Sequence, residues 1–579
     1  MTDSRKKISI STLLFRHSPR LLVFAVVIGA VAGALYSLII PFVLQELNAK
    51  MTGIHSGKTM LAGVELVNQH YAALFFVVCC LILLTKAFSV IVVNNIAQSA
   101  TAQLRLNVAK KINKMQIDHV ESLGFSKLLN ILIEDVNNVA MAAVAIPMVL
   151  VSTVTVIGML VYLATLNFTV FLITLVAMIF GVLLFQVPVS MASGLYDRAR
   201  SLRDAIQEGI RGLVLGAYEL KLSREKSAAF IDMELVSPQM NSVALQKKGD
   251  AVLHLAGTSS DLLSFFIIGL IVFILPGYMQ FPPSETYGVV MALLYLAGPV
   301  AGILGHMQQL QVGRVAMARI QSLDRFDEES LGAGTNVPLA PWREFRVEQV
   351  SYTYPAQGND QDSGFALAPV SLSFQPGQIN FIVGGNGSGK STLSKLLSLH
   401  YQSETGGVYF DQQKIDAANL VQARARIAVI FSNYFLFHQL YLHGTGVDHA
   451  KVNRYLGALG LQGKTEFVDG KFTTTRLSDG QRRRLALLVA LLEDKDIYIF
   501  DEWAADQDPG FKRVFYQDIL PEMKRNNKLV IVITHDDRYF DCADRVIFME
   551  DGKMTGQQDR EHDVATASLA APHSFLAVA

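Results

Sequence analysis

A short glycine-rich run that ends in a lysine and a hydroxyl group is the clearest chemical feature of the sequence. The run Gly384-Gly385-Asn386-Gly387-Ser388-Gly389-Lys390-Ser391-Thr392 fits the spacing G-x-x-x-x-G-K-[ST]. The apolar segment 378–383 predicts a buried strand before it, and residues 393–397 predict a helix after it. Backbone N–H groups in such a loop wrap phosphate oxygens, while Lys390 reaches the β- and γ-phosphates and Ser391 can ligate Mg²⁺. The sequence therefore predicts a site for ATP with Mg²⁺ over residues 384–392.

Two further apolar segments end in side chains suited to phosphate hydrolysis. Residues 496–500 predict a strand that leads into Asp501 and Glu502, and residues 529–533 predict one that leads into Thr534-His535. Asp501 is placed to hold the Mg²⁺ shell, and Glu502 to orient or deprotonate the attacking water. A neutral His535 beside the γ-phosphate would sense or stabilise it. A lone histidine is more often structural, but its register with the other two strand ends favours the functional interpretation.

A third motif precedes the acidic strand. Leu477-Ser478-Asp479-Gly480-Gln481 resembles the L-S-G-G-Q signature of ATP-binding-cassette (ABC) proteins, and with the other motifs the resemblance covers residues 343–555. It implies that two cassettes sandwich two ATP molecules, each between one subunit's phosphate loop and the other's signature. The signature serine and its helix N-terminus would offer donors to a γ-phosphate from the partner. The resemblance also implies that Tyr354 stacks on adenine and that Asp508 couples the two sites.

Several departures from the family pattern narrow the resemblance. Ser432 stands where most members have a glutamine that links Mg²⁺ to the membrane domain, and its shorter hydroxyl can still touch the metal. Asp479 replaces a signature glycine and adds a carboxylate near the docking phosphate. The run D-E-W-A-A-D-Q-D-P over 501–509 is similar to the cyclic-peptide exporter subfamily, whose members export siderophore-peptide precursors, lipopeptides or peptide antibiotics. This similarity implies a peptidic or siderophore-like cargo.

The first half of the chain contains apolar runs long enough to cross a bilayer. A helix needs about 20 residues to span the hydrocarbon core, so the run 136–196, which has no charged residue, must fold back, with its natural turn at Thr165-Leu166-Asn167. The polar excursions 97–138 and 191–250 predict helices that continue into the cytoplasm. Six spans are expected, from runs at 21–45, 71–104, 136–164, 168–196, 262–284 and 286–313.

Charge is divided between the two halves although the net charge is zero. Up to Arg325 there are 25 Lys and Arg against 18 Asp and Glu, whereas the remainder has 25 against 32. The basic residues concentrate before residue 20 and in the polar excursions, which predicts a cytoplasmic N-terminus. With 17% charged and 51% hydrophobic residues, the composition excludes a disordered or nucleic-acid-coating chain, and no nucleic-acid partner is expected.

Two ionisable residues lie within the expected spans. Lys86 and Asp261 each lie roughly 21–23 Å from the outer end of their span, at about 1.5 Å per residue. Intramembrane charges usually face a cavity or one another, so one interpretation places both beside a polar substrate cavity. In the alternative, both lie near the inner interface and extend their charges into it.

These features predict a multi-domain protein: an all-α six-span transmembrane domain over 1–325, a linker over 326–342 and an α/β P-loop cassette over 343–579. One membrane domain fused to one cassette resembles an ABC exporter half-transporter. The resemblance implies a homodimeric ATPase in the bacterial inner membrane, in contact with membrane lipid, with both termini cytoplasmic. It also implies that the tips near Asp118–Lys127 and Gly216–Arg224 are coupling helices, the second reaching the partner's cassette.

Two alternatives remain open. A lipid or lipopeptide flippase has the same fold, and a membrane-anchored regulator could bind ATP as a switch without transport. Ser432 favours the regulator, whereas Lys390, Asp501, Glu502 and His535 argue against it. An importer is disfavoured, because importers commonly have separate membrane and ATPase chains and a binding protein.

Overall fold

The computed structural model groups the chain into two compact units, Met1–Lys110 with Ser126–Arg325, and Lys111–Phe125 with Phe326–Ala579. The break at Arg325 is where the sequence places the end of the membrane domain. Residues 111–125, which the sequence assigns to that domain, instead group with the second unit. The structure describes residues 9–51, 58–61, 64–275, 283–326, 328–329, 340–354, 364–441 and 448–560.

The described residues up to 325 are almost entirely helical, because within lipid every backbone polar group must be satisfied inside its own segment. Short π-helical turns (131–135, 231–236 and 270–274) interrupt three of the helices. The elements are α1 (Ile10–His17), α2 (Pro19–Met51), the hairpin β1 (Lys58–Leu61) and β2 (Val64–Val67), α3 (Asn68–Lys114), α4 (Ile117–Leu123), α5 (Phe125–Asn130), α6 (Val136–Leu166), α7 (Phe168–Leu215), α8 (Ala217–Lys221), α9 (Arg224–Phe230), α10 (Ser237–Gly269) and α11 (Pro283–Ser322).

Within the described residues, five helices are long and apolar enough to cross a membrane: Pro19–Leu44, Ala72–Lys114, Phe125–Leu166, Phe168–Leu215 and Thr286–Arg325. The remaining expected span, 262–284, begins in α10 and is represented by a shorter apolar helix, Phe265–Ile274. Its residues 276–282 lie outside the described part of the chain.

The tight turn between α6 and α7 is fixed by one asparagine. Asn167 ends α6 in an extended conformation, and its side chain accepts hydrogen bonds from the backbone N–H groups of Thr169 and Val170 at 3.0 and 3.2 Å. These bonds satisfy two of the donors that the start of a helix leaves free. The fold-back that the sequence places at residues 165–167 is therefore a hairpin of two long helices.

Small residues let the membrane helices approach closely. In the first unit α6 packs against α2 and α11, and α7 packs along α10. At Gly313 on α11 a Cβ atom would lie 2.2 Å from the Cβ of Ala142 on α6, so any larger residue would force these helices apart. Such contacts are typical of helix packing in membranes.

The second unit contains a six-stranded sheet and a four-stranded antiparallel sheet, with buried apolar residues between and around them. Its strands are β3 (Phe345–Thr353), β4 (Ala366–Phe374), β5 (Ile379–Gly384), β6 (Gly407–Phe410), β7 (Gln413–Lys414), β8 (Ile427–Ile430), β9 (Phe467–Val468), β10 (Lys471–Phe472), β11 (Ile497–Asp501), β12 (Leu529–Ile533), β13 (Arg545–Glu550) and β14 (Lys553–Asp559). Its helices are α12 (Lys390–Leu397), α13 (Leu420–Ala425), α14 (His449–Ala458), α15 (Asp479–Leu492), α16 (Pro509–Arg513) and α17 (Leu520–Arg525).

The larger sheet brings three functional segments to one edge. Its order is β14-β13-β5-β12-β11-β8, and β5, β12 and β11 run parallel. Asp501 pairs with Ile533, which in turn pairs with Ile382. Because parallel strands end at the same edge, the segments that follow β5, β11 and β12 meet there, and ligands in such sheets bind beyond the carboxyl ends of the strands.

The helix α4 groups with the cassette because of its own side chains. Ile117 packs against the hydrophobic core of the second unit. Glu121 accepts hydrogen bonds from Lys395 Nζ, at 3.0 Å to each carboxylate oxygen, and from the Tyr401 hydroxyl at 2.5 Å. Apolar packing and charge-assisted hydrogen bonds therefore group residues 111–125 with the cassette in compactness, while the boundaries drawn from the sequence stay a prediction.

Candidate nucleotide-hydrolysis site

The phosphate loop has the backbone that its glycines predict. It joins the end of β5 at Gly384 to the start of α12 at Lys390, and Gly387 and Gly389 have φ angles of +80° and +96°. Residues with a Cβ rarely adopt this left-handed region. At Gly384 a Cβ would lie 2.1 Å from the carbonyl oxygen of Met549. In the loop, Asn386 is exposed, whereas Ser388 and, just beyond it, Thr392 are buried.

Lys390 is folded back into this loop. Its Nζ donates to the carbonyl oxygens of Gly384 and Gly385 at 3.0 and 2.7 Å, and it lies 3.4 Å from Ser388 Oγ. Burial lowers the pKa of Lys390, while the nearby carboxylates of Glu502 and Asp501 act in the opposite direction. The amine is therefore at the loop, where phosphate oxygens could replace the carbonyl acceptors.

Asp501 is a buried carboxylate with unused binding capacity. It is 1% exposed, and its Oδ1 has no hydrogen-bond partner among the described residues. Burial raises the pKa of Asp501, as does Glu502, whereas hydrogen bonds from the Ser391 hydroxyl and the Ser432 backbone lower it, as does the charge of Lys390. An unpaired buried carboxylate oxygen beside a serine hydroxyl suits a hard cation such as Mg²⁺, so Ser391 and Asp501 fit the predicted metal role.

Glu502, the next residue, has the opposite environment. Its φ angle of +54° turns it out of the strand, and its Oε1 lies 3.0 Å from His535 Nε2. Both side chains are more than a third exposed and line a cleft of about 430 Å³. The structure thus brings together the acid and the histidine that the sequence places at neighbouring strand ends, in a position open to water.

The signature forms the start of α15. Ser478 caps this helix: its Oγ accepts from Gln481 N at 3.5 Å, and Gln481 Oε1 accepts from Ser478 N at 3.3 Å. The Asp479 side chain is 82% exposed, with an oxygen 3.7 Å from Arg482. Its carboxylate is therefore directed to solvent and to an arginine. Gly480 has no side chain, and its backbone carbonyl accepts a hydrogen bond from Gln507 Nε2 at 3.0 Å.

The other predicted nucleotide residues have distinct surroundings. Tyr354 packs in an aromatic group with Tyr352 and Tyr401, at ring-centroid distances of 5.1 and 6.0 Å, and its hydroxyl lies 3.4 Å from Thr392 Oγ1. Asp508 caps α16 by accepting from Phe511 N at 2.9 Å. That hydrogen bond is the main cause that lowers the pKa of Asp508, with Arg484 adding to it.

The sequence reasoning missed the contacts between α15 and the segment after Glu502. Arg483 binds the Glu502 carbonyl and Asp506, Trp503 binds the Arg483 carbonyl, and Arg484 binds Gln507 and Asp508. The available signal was the run of three consecutive arginines after the signature and the tryptophan that directly follows Glu502.

Of the two predicted cavity residues, Lys86 is the one whose side chain lies in the described part of the structure. Lys86 Nζ lies 5.2 Å from the centroid of the Tyr36 ring, a cation–π contact between α3 and α2. The side chain of Asp261, in α10, lies outside the described part of the structure. Their role at a substrate cavity stays a prediction.

Two family models match the chain. One describes the ABC transporter and matches residues 367–505, and the other describes the ABC transporter transmembrane region and matches residues 23–208. The first falls on the cassette with its phosphate loop, signature and strand-end acids, and the second on the long apolar helices.

Individual proteins match most of the chain. ATP-binding protein SyrD of Pseudomonas syringae pv. syringae is 31% identical over 528 residues, covering 87% of this chain and 92% of that protein. The ATP-dependent lipid A-core flippase of Xanthomonas oryzae pv. oryzae is 27% identical, covering 82% and 81%. A bacterial Atm1-family ABC exporter solved with ATP bound is 17% identical with a TM-score of 0.74, covering 94% and 95%, and shows the fold.

Proposed function

Since the chain belongs to the ABC transporter family and is an exporter-type ATPase coupled to transport, we propose that two copies form a homodimer that exports a peptidic or siderophore-like compound across the bacterial inner membrane. The observation that carries the proposal is the Glu502–His535 pair at the sheet edge that also holds Lys390 and Asp501. These groups suit hydrolysis rather than nucleotide binding alone, which favours transport over a regulatory switch.

In the proposed reaction each residue acts from the position described. Loop N–H groups and Lys390 bind the β- and γ-phosphates, Lys390 exchanging carbonyl for phosphate oxygens. Glu502 orients or deprotonates the attacking water, and His535 contacts the γ-phosphate while holding Glu502. Ser391 and Asp501 would hold Mg²⁺, which when bound offsets the phosphate charge, with Ser432 as a further oxygen nearby. Tyr354 would stack on adenine.

Two exposed apolar surfaces support the homodimer. At the α8 tip, Tyr218 near the start of the helix and Leu222 just after it are 86% and 87% exposed. On the cassette, Phe435, Phe437 and Tyr441 are 78%, 58% and 71% exposed and line a cavity of about 310 Å³. Exposed apolar patches mark interaction sites, so we assign the α8 tip of one copy to the aromatic cavity of its partner. In the same dimer, the signatures would complete the partners' ATP sites, and Asp508 would couple them.

The site is tested by Glu502→Gln, which keeps the size of the side chain but removes its basicity. We expect this variant to bind ATP normally, to lose at least about 100-fold in kcat, and to accumulate as a closed dimer. ATP binding, ATPase rate and crosslinking between cassettes measure the three properties. Glu550→Gln, at the exposed end of β13, is the matched control. Wild-type turnover by Glu502→Gln would overturn the proposed base.

The peptidic cargo rests on the resemblance of residues 501–509 and the signature to the cyclic-peptide exporter subfamily. A second candidate, a lipid flippase, is supported by several relatives named as lipid A-core flippases at 27–28% identity. Both cargoes should be tested side by side in proteoliposomes, with transport and stimulation of ATPase as readouts. Stimulation by lipopeptides or peptides, but not by lipid A-core, supports the first candidate. The reverse supports the second, and stimulation by neither favours the regulator.

The topology proposal follows from the distribution of Lys and Arg. Basic residues in the first 20 residues and in the excursions 97–138 and 191–250 support a cytoplasmic location of the N-terminus, both tips and the cassette. The cassette needs ATP, which is cytoplasmic, so charge and chemistry agree. Lys86 and Asp261 remain our proposed cavity residues.

A further inference from the structure

Trp503, one of only two tryptophans in the chain, immediately follows Glu502 and is 1% exposed. Its ring lies 4.3 Å from the ring of Phe515, within the aromatic core. Its Nε1–H donates to the backbone carbonyl of Arg483 on α15 at 2.8 Å. A buried indole N–H requires such a partner. The residue after Glu502 is therefore tied to the helix that begins with the signature.

Arg483 makes the return bond. Its Nη1–H donates to the backbone carbonyl of Glu502, and its Nη2 lies 2.5 Å from Asp506 Oδ2. The Arg483 side chain is 12% exposed. Because a guanidinium group has fixed donor directions, its pairing with Asp506 also sets the direction in which it reaches Glu502.

Glu502 needs this support because of its backbone. A φ angle of +54° is disfavoured for a residue with a Cβ. Its N–H donates to the Ile533 carbonyl at 3.0 Å, and its own carbonyl accepts from Ala505 N at 3.2 Å as well as from Arg483. The backbone direction sets where the side chain leaves the chain, and its carboxylate must meet His535 at 3.0 Å.

We infer that Arg483 and Trp503 form a lock of two reciprocal hydrogen bonds between α15 and residues 502–503, and that this lock positions Glu502 for hydrolysis. The inference rests on the proposed role of Glu502 as the base that activates water. Arg483 is a positioning residue, since it contacts the main chain of Glu502 and not the reacting atoms. A displacement of about 1 Å in a reacting group can cost about 100-fold in rate, so loss of the lock acts on turnover.

The test compares Arg483→Gln, Arg483→Lys and Trp503→Phe in the full-length protein in proteoliposomes, with ATPase rate measured against ATP concentration. We expect kcat to fall about 10- to 100-fold in Arg483→Gln, with KM for ATP within about twofold of wild type, because ATP contacts are retained. Arg483→Lys keeps the charge beside Asp506 and should retain more turnover than Arg483→Gln. Trp503→Phe keeps the ring and removes the N–H, so kcat should fall by a smaller factor, about three- to tenfold.

Two controls remove equivalent hydrogen bonds elsewhere in the cassette. Trp342→Phe loses an indole bond to Asp496 Oδ2, 3.2 Å long. Arg545→Gln loses bonds to the Ser373 carbonyl and to Asp559 Oδ1, both 2.7 Å, the same pairing of carbonyl and carboxylate that Arg483 makes. Both controls should keep kcat within about twofold of wild type. If the controls lose as much kcat as the lock variants, the loss comes from weakened packing of the cassette in general. That result would overturn the inference.

The outcomes separate the lock from the proposed function. If Glu502→Gln stalls hydrolysis while Arg483→Gln and Trp503→Phe turn over like wild type, the lock is wrong and the base assignment stands. If Glu502→Gln turns over normally, the base assignment fails and the lock fails with it. If Arg483→Gln does not yield a folded dimer by size exclusion, the kcat values of Trp503→Phe and Arg483→Lys decide whether the lock positions Glu502. A raised KM with unchanged kcat in these variants would contradict positioning.

Discussion

The two tips between membrane helices are held in opposite ways. On α4, Ile117 packs into the cassette core, and Glu121 accepts from Lys395 and Tyr401 of the same chain. On and after α8, Leu220 is 6% exposed, but Tyr218 and Leu222 are 86% and 87% exposed. The α4 tip is held by contacts within its own chain, whereas the α8 tip presents two large apolar side chains to solvent.

The difference between the tips is what the proposed homodimer would produce. A large exposed apolar surface is unusual on a soluble region unless a partner covers it. The α4 tip is held by contacts with its own cassette. The α8 tip is free to serve the cassette of a second copy, as the proposed homodimer requires. In the proposed homodimer, each chain would thus have one self-contained and one exchanged connection.

Of the two tips, the exposed one has the larger expected effect. Replacing Tyr218 and Leu222 together by serine should leave the fold intact, because both side chains are mostly exposed and such changes usually cost less than about 0.5 kcal/mol each. Cargo-stimulated ATPase should nevertheless fall at least about tenfold, since the contact with the partner is lost. Met240→Ser, 65% exposed on α10, is the control and should have no such effect. Normal stimulation in the double variant would show that the α8 tip has no partner.

The smaller effect concerns the self-contained tip. Glu121 and Lys395 side chains are 43% and 24% exposed, so solvent weakens their attraction and the pair is worth about 1 kcal/mol. Glu121→Gln should therefore raise amide exchange in residues 117–123 about fivefold, measured by hydrogen exchange and mass spectrometry, because local opening becomes easier. Exchange in residues 217–221 should not change.

A charge swap checks that the α4 effect is electrostatic. Combining Glu121→Lys with Lys395→Glu restores opposite charges, although the Tyr401 hydroxyl must then find another acceptor. Exchange in 117–123 should return at least halfway to the wild-type rate. If the swap protects no better than Glu121→Lys alone, the ion pair does not hold α4, and Ile117 packing accounts for its position.

These tips also show what sequence can and cannot establish. Helical spacing and charge placed both tips, and strand-end motifs placed Lys390, Asp501 and Glu502, because local pattern and backbone geometry determine them. The partner of Glu121 lies 274 residues away in Lys395, and no local pattern encodes such a pair. The same applies to Arg483 and Trp503, whose bonds depend on how α15 packs beside β11.

The smallest expected effect tests whether Ser432 limits coupling to the α4 tip. Lys395 lies on α12, directly after the phosphate loop, and Tyr401 stacks on Tyr352 at 4.4 Å and lies near Tyr354. The nucleotide site therefore already has a connection to Glu121 that does not pass through Ser432, which is exposed and can accept a longer side chain. We expect Ser432→Gln to change cargo-stimulated ATPase by no more than about twofold, as should Asn433→Gln, its exposed neighbour. A fivefold or greater gain in Ser432→Gln alone would show that the missing glutamine, rather than the Glu121 contact, sets the strength of coupling.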